Sequence, residues 1–415
     1  MKRISFKFTS FEWILIGLII HAIGRIFFLS SKPVCYLICA LGLFIVIFNF
    51  SFKLSYQIPF SGILRFLFYF YLLWSIGIII RPIVTGENLN RDGYSFINQY
   101  TWLAYFVPCI CFINSERISL KSIFRFSFIS GIIGIGLLIV FSNDIFRGNA
   151  YYDDESYQVY IGITGIPTSF LVTSAYCLLW FAFLSRPYKL VSFISWCLGI
   201  FTTAYAARRG GVFNMLLLIT LFIFQYLLYS KNKVIQIVLA VLIVAILGTS
   251  ILTFINSNFS LLVSRAGEDT RSGVEEFFFQ SFQGKELDWL VGRGINGTYY
   301  CPIFRNPNRD VIETGYLHMI LKGGLIYLLT FILFLLFSMY LGFFKSKNTM
   351  TRAMAFYIFM RFIALIPFGL PSFSFEYVVL WIFIAFCQSS KFRSINDQAI
   401  KRVFIPKDST KKTAI

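Results

Sequence analysis

Apolar stretches of about 20 residues recur along the chain, separated by short polar breaks. They fall near 11–29, 33–50, 61–80, 99–113, 123–142, 159–184, 190–206, 211–229, 234–255, 323–343, 352–368 and 373–389. A bilayer-crossing helix needs about 20 predominantly apolar residues. The pattern therefore predicts an all-α, polytopic integral membrane protein of about twelve transmembrane helices, with 99–113 short for a span. Between about Asn256 and Thr314 the rhythm stops and some sixty polar, arginine-bearing residues intervene. The layout reads as helices one to nine over 1–255, a large extracytoplasmic loop over 256–314, helices ten to twelve over 315–390 and a basic cytoplasmic tail over 391–415. Lys2, Arg3 and Lys7 precede the first run and no small-residue cleavage site follows, so that helix is expected to be retained.

Gly162, Gly165 and Pro167 interrupt the sixth run, and Pro367, Gly369 and Pro371 mark the turn between the last two. Such breaks either line cavities or serve as turns and kinks.

Composition agrees with this class. Of 415 residues, 57% are hydrophobic and only 13% charged, against roughly 25% charged in soluble domains. The net charge of +18 suits nucleic acid in principle, but its distribution excludes that reading. Basic residues punctuate the apolar runs and crowd the tail (Lys391, Arg393, Lys401, Arg402, Lys407, Lys411 and Lys412), as expected for a segment beside anionic lipid. With the N-terminus in the cytoplasm, the short inner connections are uniformly basic (Lys53; Arg117 and Lys121; Arg186 and Lys189; Lys231 and Lys233; Lys345, Lys347 and Arg352), while the outer ones are mixed or acidic. Both termini then lie inside and the long loop outside. Of eight cysteines all but Cys301 lie in apolar runs, so no structural disulfide is expected. No metal is expected either. Cys109-Ile-Cys111 lacks further ligands, and Asp153-Asp154-Glu155 reads as a solvated acidic loop.

Arg208-Arg209-Gly210-Gly211 opens the eighth run on the predicted outer side, against the positive-inside bias. Two guanidiniums at a helix N-terminus suit a diphosphate at the membrane surface; the alternative is contact with lipid headgroups. Arg265 and Arg271 in the loop suit a lipid-linked anion, or else ion pairs with Glu268, Asp269 or Glu275. Val274, Phe277, Phe278 and Phe282 are spaced like the apolar face of an interfacial helix. Trp289-Leu-Val-Gly292-Arg293-Gly294-Ile-Asn296-Gly297-Thr-Tyr299-Tyr is not a nucleotide fingerprint, since no βαβ unit surrounds it. Its aromatics with Arg293 offer a sugar-binding surface, and an Asn-Gly turn explains its glycines. Glu313 and His318 precede the tenth helix. Glu313, expected in a less polar neighbourhood that raises a carboxylate pKa, suits a general base on a sugar hydroxyl; His318 is the weaker catalytic candidate. Arg25 and Arg361 fall inside apolar runs, where arginines face the bundle interior, either lining a cavity or neutralising Glu12 or Glu376.

Taken in order, Ala207-Arg208-Arg209-Gly210-Gly211, Arg265 through Gly273, Leu290-Val-Gly-Arg-Gly-Ile-Asn-Gly and Glu313-Thr-Gly-Tyr-Leu followed by Leu321-Lys-Gly-Gly-Leu resemble the O-antigen polymerase and O-antigen ligase superfamily of bacterial polysaccharide-assembly proteins. The resemblance covers the layout of nearly the whole chain. It implies a membrane-embedded (GT-C-like) glycosyltransferase in the bacterial inner membrane that uses a polyprenyl-diphosphate-linked oligosaccharide and no cofactor. It also implies a chain-length regulator and a flippase as partner proteins. Ligases of this superfamily carry a His-Asn step before the Tyr-Leu; here Glu313-Thr314 stands in that place, which favours a repeat-unit polymerase. The alternatives are ligation of a finished glycan to lipid or protein, and transport of a lipid-linked glycan.

Overall fold

The computed structural model describes residues 8–28, 30–51, 58–86, 92–113, 118–146, 154–206, 208–229, 272–304, 306–367 and 369–404. The predicted run at 234–255 and the first part of the loop lie outside them.

The described chain is an all-α bundle with one two-stranded ribbon. Its elements are α1 (Ser10–Gly24, continued by a 3-10 turn, Arg25–Phe28), α2 (Lys32–Ser51), α3 (Ile63–Val84), α4 (Trp102–Phe106, continued by a 3-10 stretch, Val107–Phe112), α5 (Leu120–Val140), α6 (Ser142–Phe146), α7 (Asp154–Ala175, continued by a 3-10 stretch, Tyr176–Phe183), α8 (Arg186–Tyr205) and α9 (Arg209–Tyr229). The loop contributes α10 (Ser272–Phe282), α11 (Glu286–Val291) and an antiparallel pair, β1 (Tyr299–Tyr300) with β2 (Asn308–Arg309). Then follow α12 (Gly315–Phe344), α13 (Thr349–Ala364), α14 (Phe375–Gln388), α15 (Ser390–Ser394) and α16 (Asp397–Phe404). Among the described residues, seven helical segments are long and apolar enough to cross a membrane. The protein is membrane-embedded on that ground.

Helix starts follow local chemistry. The Thr9 hydroxyl accepts from the Glu12 amide at 3.2 Å and the Glu12 carboxylate accepts from the Thr9 amide at 2.9 Å, a capping box that opens α1. That carboxylate also accepts from the Ser122 hydroxyl at 3.0 Å, which brings the starts of α1 and α5 together. The start of α13 lies beside α15, because the Asn348 side-chain amide donates to the carbonyls of Phe392 at 3.0 Å and Ile395 at 3.1 Å. Trp180, at the far end of the α7 stretch, donates to Met350 O at 3.3 Å. These contacts define one end of the bundle, called here the tail end. At the opposite, loop end, Gly315 N donates to Leu365 O at 2.9 Å, Phe373 N to Gln99 O at 2.7 Å and Ile295 N to Ile78 O at 3.0 Å.

The centre of the bundle is α14. Every residue from Tyr377 to Cys387 is buried, as expected for a helix apolar all round. Trp381 packs against Phe68 and Tyr71 of α3 and against Phe331 and Phe334 of α12. Tyr71 stacks on Tyr327 at 4.8 Å and donates its hydroxyl to the Tyr327 hydroxyl at 2.8 Å, so two buried phenols satisfy each other. By contrast α2 turns Leu37, Leu41, Phe44 and Phe48 outward, the apolar face a lipid-contacting helix needs.

Two central helices are short. With 16 and 14 residues, α13 and α14 reach about 24 and 21 Å, less than the ~30 Å hydrocarbon core. Pro367, Gly369 and Pro371 keep the segment between them from continuing as helix. Irregular backbone at such depth is tolerated where protein buries it or water reaches it.

Candidate functional site

The described part of the loop is fastened to a break in α12. Gly324 has φ of 73°, which interrupts the helix and frees the carbonyls before it. Loop amides take them: Arg293 N donates to Leu321 O at 2.7 Å and Gly294 N to Lys322 O at 3.0 Å. Trp74 of α3 donates its indole N–H to Gly323 O at 2.8 Å. A Cβ on Gly292 would lie 2.6 Å from the Gly323 and Gly324 amides, and one on Gly324 would lie 2.1 Å from Leu290 O. Only two glycines let the backbones approach this closely, and both have positive φ. The glycines of this stretch were expected to serve an Asn-Gly turn. Gly297 does close such a turn, onto Gly294 O at 3.0 Å, whereas Gly292 is required by the docking on α12.

Lys322 and Arg293 hold the loop from either side. Lys322 is buried and donates to Ile295 O at 2.8 Å and Gly297 O at 2.9 Å. Arg293 donates to Asp288 Oδ2 at 2.8 Å, Ser281 Oγ at 2.9 Å, Thr298 O at 2.6 Å and Ser281 O at 2.6 Å, and its guanidinium lies 4.1 Å from the Phe282 ring centroid. Expected to meet sugar, Arg293 is instead committed to the loop's own structure. Arg81 donates to Gly292 O. Sequence reasoning missed Lys322 and Arg81 as anchors; the available signal was a lysine set between Leu321 and Gly323, inside an apolar run.

The spacing of Val274, Phe277, Phe278 and Phe282 correctly predicted a helix, but its apolar face does not lie in a membrane interface. Phe278 and Phe282 are fully buried, stacked on each other at 4.5 Å. Phe278 meets Tyr299 at 5.6 Å and Phe282 meets Trp289 at 5.2 Å. The loop folds back and supplies the apolar partner itself. Trp289 stacks on the exposed Phe279 at 6.0 Å. With Ser272, Glu275, Glu276, Gln280 and Gln283 this pair lines an open groove of about 660 Å³. Of the three residues expected to meet sugar, Trp289 is the one that lines this groove. Tyr299 does not: only 1% of it is accessible, and burial pushes its phenol up to about 12, with the Cys301 thiol adding to the shift.

Glu313, expected in a less polar setting, is exposed, because the chain turns there into α12. Its neighbour Thr314 is buried and donates to Glu275, which ties α10 to the start of α12. His318, one turn into α12, is 4% exposed and its Nδ1 has no hydrogen-bond partner among the described residues. The carboxylate of Glu313 reaches solvent; the imidazole does not.

At the start of α9, the Arg208 carbonyl accepts from Gly211 N at 3.0 Å and Val212 N at 3.1 Å. Its guanidinium donates to Thr164 Oγ1 of α7 at 2.9 Å and lies over Gly165, where a Cβ would come within 3.0 Å of it. Gly165 thus makes room for Arg208, and Pro167 sits inside the same helix. Arg209, the first residue of α9, is half-buried. Arg265 and Arg271 lie outside the described residues.

Of the two carboxylates weighed for the intramembrane arginines, Glu12 serves α1 and has Arg125 at 3.9 Å. Glu376 is the one within electrostatic reach of Arg25 and Arg361. All eight cysteines carry free thiols. Among the described residues no three His, Cys, Asp or Glu side chains are grouped to hold a metal.

The chain matches no model of a known protein family, no curated protein and no solved structure.

Proposed function

We propose that this protein is a membrane-embedded glycosyltransferase that polymerises oligosaccharide repeat units carried on polyprenyl diphosphate. The reading has twelve spans in a bacterial inner membrane, both termini in the cytoplasm and the loop end facing outside. One observation carries it. The paired arginines starting α9, the exposed Glu313 and the aromatic–amide groove at Trp289 share the loop end of an otherwise apolar bundle. A lipid-linked sugar has matching parts: an apolar tail for the bilayer, a diphosphate at its surface and a glycan beyond it.

In the proposed reaction an acceptor hydroxyl attacks the donor's anomeric carbon. A new C–O bond forms, the bond from that carbon to the phosphate oxygen breaks, and the diphosphate leaves with both electrons. Positive charge builds on the sugar and negative charge on the leaving group. Arg208 and Arg209 stabilise that leaving group, joined by Arg265 and Arg271 of the loop. Glu313 takes the hydroxyl proton, and the Trp289 groove steadies the glycan.

The test substitutes Arg209→Ala and Glu313→Ala singly and resolves the cell's surface polysaccharide on a gel. Each is expected to leave single repeats in place of long chains. Long chains persisting in both would reject these roles, and long polymer trapped on the lipid carrier would point to ligation instead.

A further inference from the structure

The sequence offered Arg25 and Arg361 either a cavity or a carboxylate such as Glu12 or Glu376; the fold brings both arginines within electrostatic reach of Glu376. Arg25 ends α1, and its guanidinium donates to the Gln99 side chain. Gln99 O in turn accepts the Phe373 amide at 2.7 Å, just ahead of Glu376. Arg361 is in the last turn of α13, beside the hydroxyls of Tyr176 and Tyr357. Glu376 is in the first turn of α14; Thr173 donates to its carboxylate, and the Tyr357 hydroxyl donates to its main-chain carbonyl at 2.9 Å. The phenol of Tyr100 is within electrostatic reach of all three charges.

Two features of this cluster call for a ligand. The first is charge: among the described residues two guanidiniums face one carboxylate, an excess of one cation among apolar helices, where charged residues are costly and mark function. The second is geometry. Among the described residues neither arginine forms an ion pair within 4.0 Å of a carboxylate. All three charged side chains keep partial accessible surface despite their depth, where the short α13 ends and the short α14 begins. A structural ion pair would close the gap. Here Glu376 accepts from Thr173 instead; Arg25 gives one guanidinium N–H to Gln99 and Arg361 is hydrogen-bonded to Tyr176, and each fork has further N–H donors to offer an acceptor.

We propose that Arg25 and Arg361, set by Glu376, form a phosphate-class anion site separate from the one at the start of α9. The separation follows from α7, which contacts both: Arg208 bonds to Thr164 and Glu376 to Thr173, nine residues apart, or about 13 Å along the helix. A polymerase handles two diphosphate-linked molecules at once, and two anion sites provide for both. That assignment to a second lipid-linked substrate rests on the polymerase reading; the anion site does not.

The test uses the full chain purified in detergent and titrated with farnesyl diphosphate, with inorganic pyrophosphate and phosphatidylglycerol as parallel arms. Wild type should bind two farnesyl diphosphates. Arg361→Gln should weaken one of them about tenfold or more, Arg361→Lys should weaken it less, and Glu376→Gln should tighten it by removing the opposing charge. Arg208→Gln should affect only the other. Thermal unfolding of each variant separates misfolding from lost binding; if Arg361→Gln misfolds, the opposite shifts in Arg361→Lys and Glu376→Gln decide. If those two shift affinity in the same direction, or not at all, the anion site is refuted. A single site sensitive only to Arg208 removes this inference and leaves the proposed function standing. Loss of both sites in wild type removes both. Pyrophosphate binding alone, or phosphatidylglycerol occupying the cluster, overturns the lipid-diphosphate assignment.

Discussion

The two ends of this bundle carry charge in opposite ways. At the tail end, Lys121, Arg186, Lys345, Lys347, Lys391, Lys401 and Arg402 are exposed, and the fastening is done by Asn348 and Asp397, with Arg352 and Arg393 adding longer bonds to Ser346 O at 3.2 Å and Lys345 O at 3.4 Å. Asn348 is wholly buried; it donates to Phe392 O of α15, and its side-chain oxygen accepts from the Thr351 amide and hydroxyl, each at 2.7 Å. Asp397 accepts from the Thr349 amide at 2.8 Å and hydroxyl at 2.9 Å. At the loop end the cations turn inward. Lys322, Arg293, Arg81 and Arg25 donate to carbonyls and side chains inside the protein. A charge left in water contributes little to stability. A charge taken out of water has to be matched, so it fixes the groups around it. The tail end therefore reads as a surface and the loop end as a site.

The largest effect should come from the backbone contact beneath the loop. Gly324→Val meets both a positive φ and the Leu290 carbonyl, and no monodisperse protein is expected on size exclusion. Gly284→Ala, also at positive φ but with open space around it, should cost only about 1 kcal/mol. Equal tolerance of the two would show that the docking on α12 is dispensable.

Next come the side-chain fasteners, each with a thiol nearby as reporter. Arg293→Ala should destabilise the loop by about 3 kcal/mol, leaving buried acceptors unpaired. Cys301, fully buried beside the ribbon, should then react with maleimide while Cys387 stays protected. Asn348→Ala, costing about 2 kcal/mol, should do the reverse, since Cys387 lies against Thr351 O at 3.9 Å. Labelling of both thiols in either variant would mean that the ends open as one unit.

The smallest effect is a pH dependence confined to the loop end. The folded protein holds Tyr299 up to about 12, above its ordinary value near 10. Its stabilising contribution is intact below about pH 10 and is lost as pH rises through 12. Tyr299→Phe should flatten the fall in unfolding temperature over that window. An unchanged profile would remove Tyr299 from the account.

The sequence by itself determined where the helices are. Runs of apolar residues carry that information locally, and each predicted run among the described residues contains helix. It also marked Ser272–Phe282 as amphipathic and Arg208 as standing at a helix start. Which side chains meet was decided only by the tertiary structure. Phe278 was read as facing a membrane and instead packs under Tyr299; Arg293 was read as facing sugar and instead closes the loop. Thr173 reaches Glu376 across 203 positions, and nothing in the neighbourhood of either residue announces the other. The physical reason is that a helical period specifies which face is buried but not against what. The partner of a buried charge is chosen when distant segments pack, so Arg25, Arg361 and Glu376 become a group only in the folded chain.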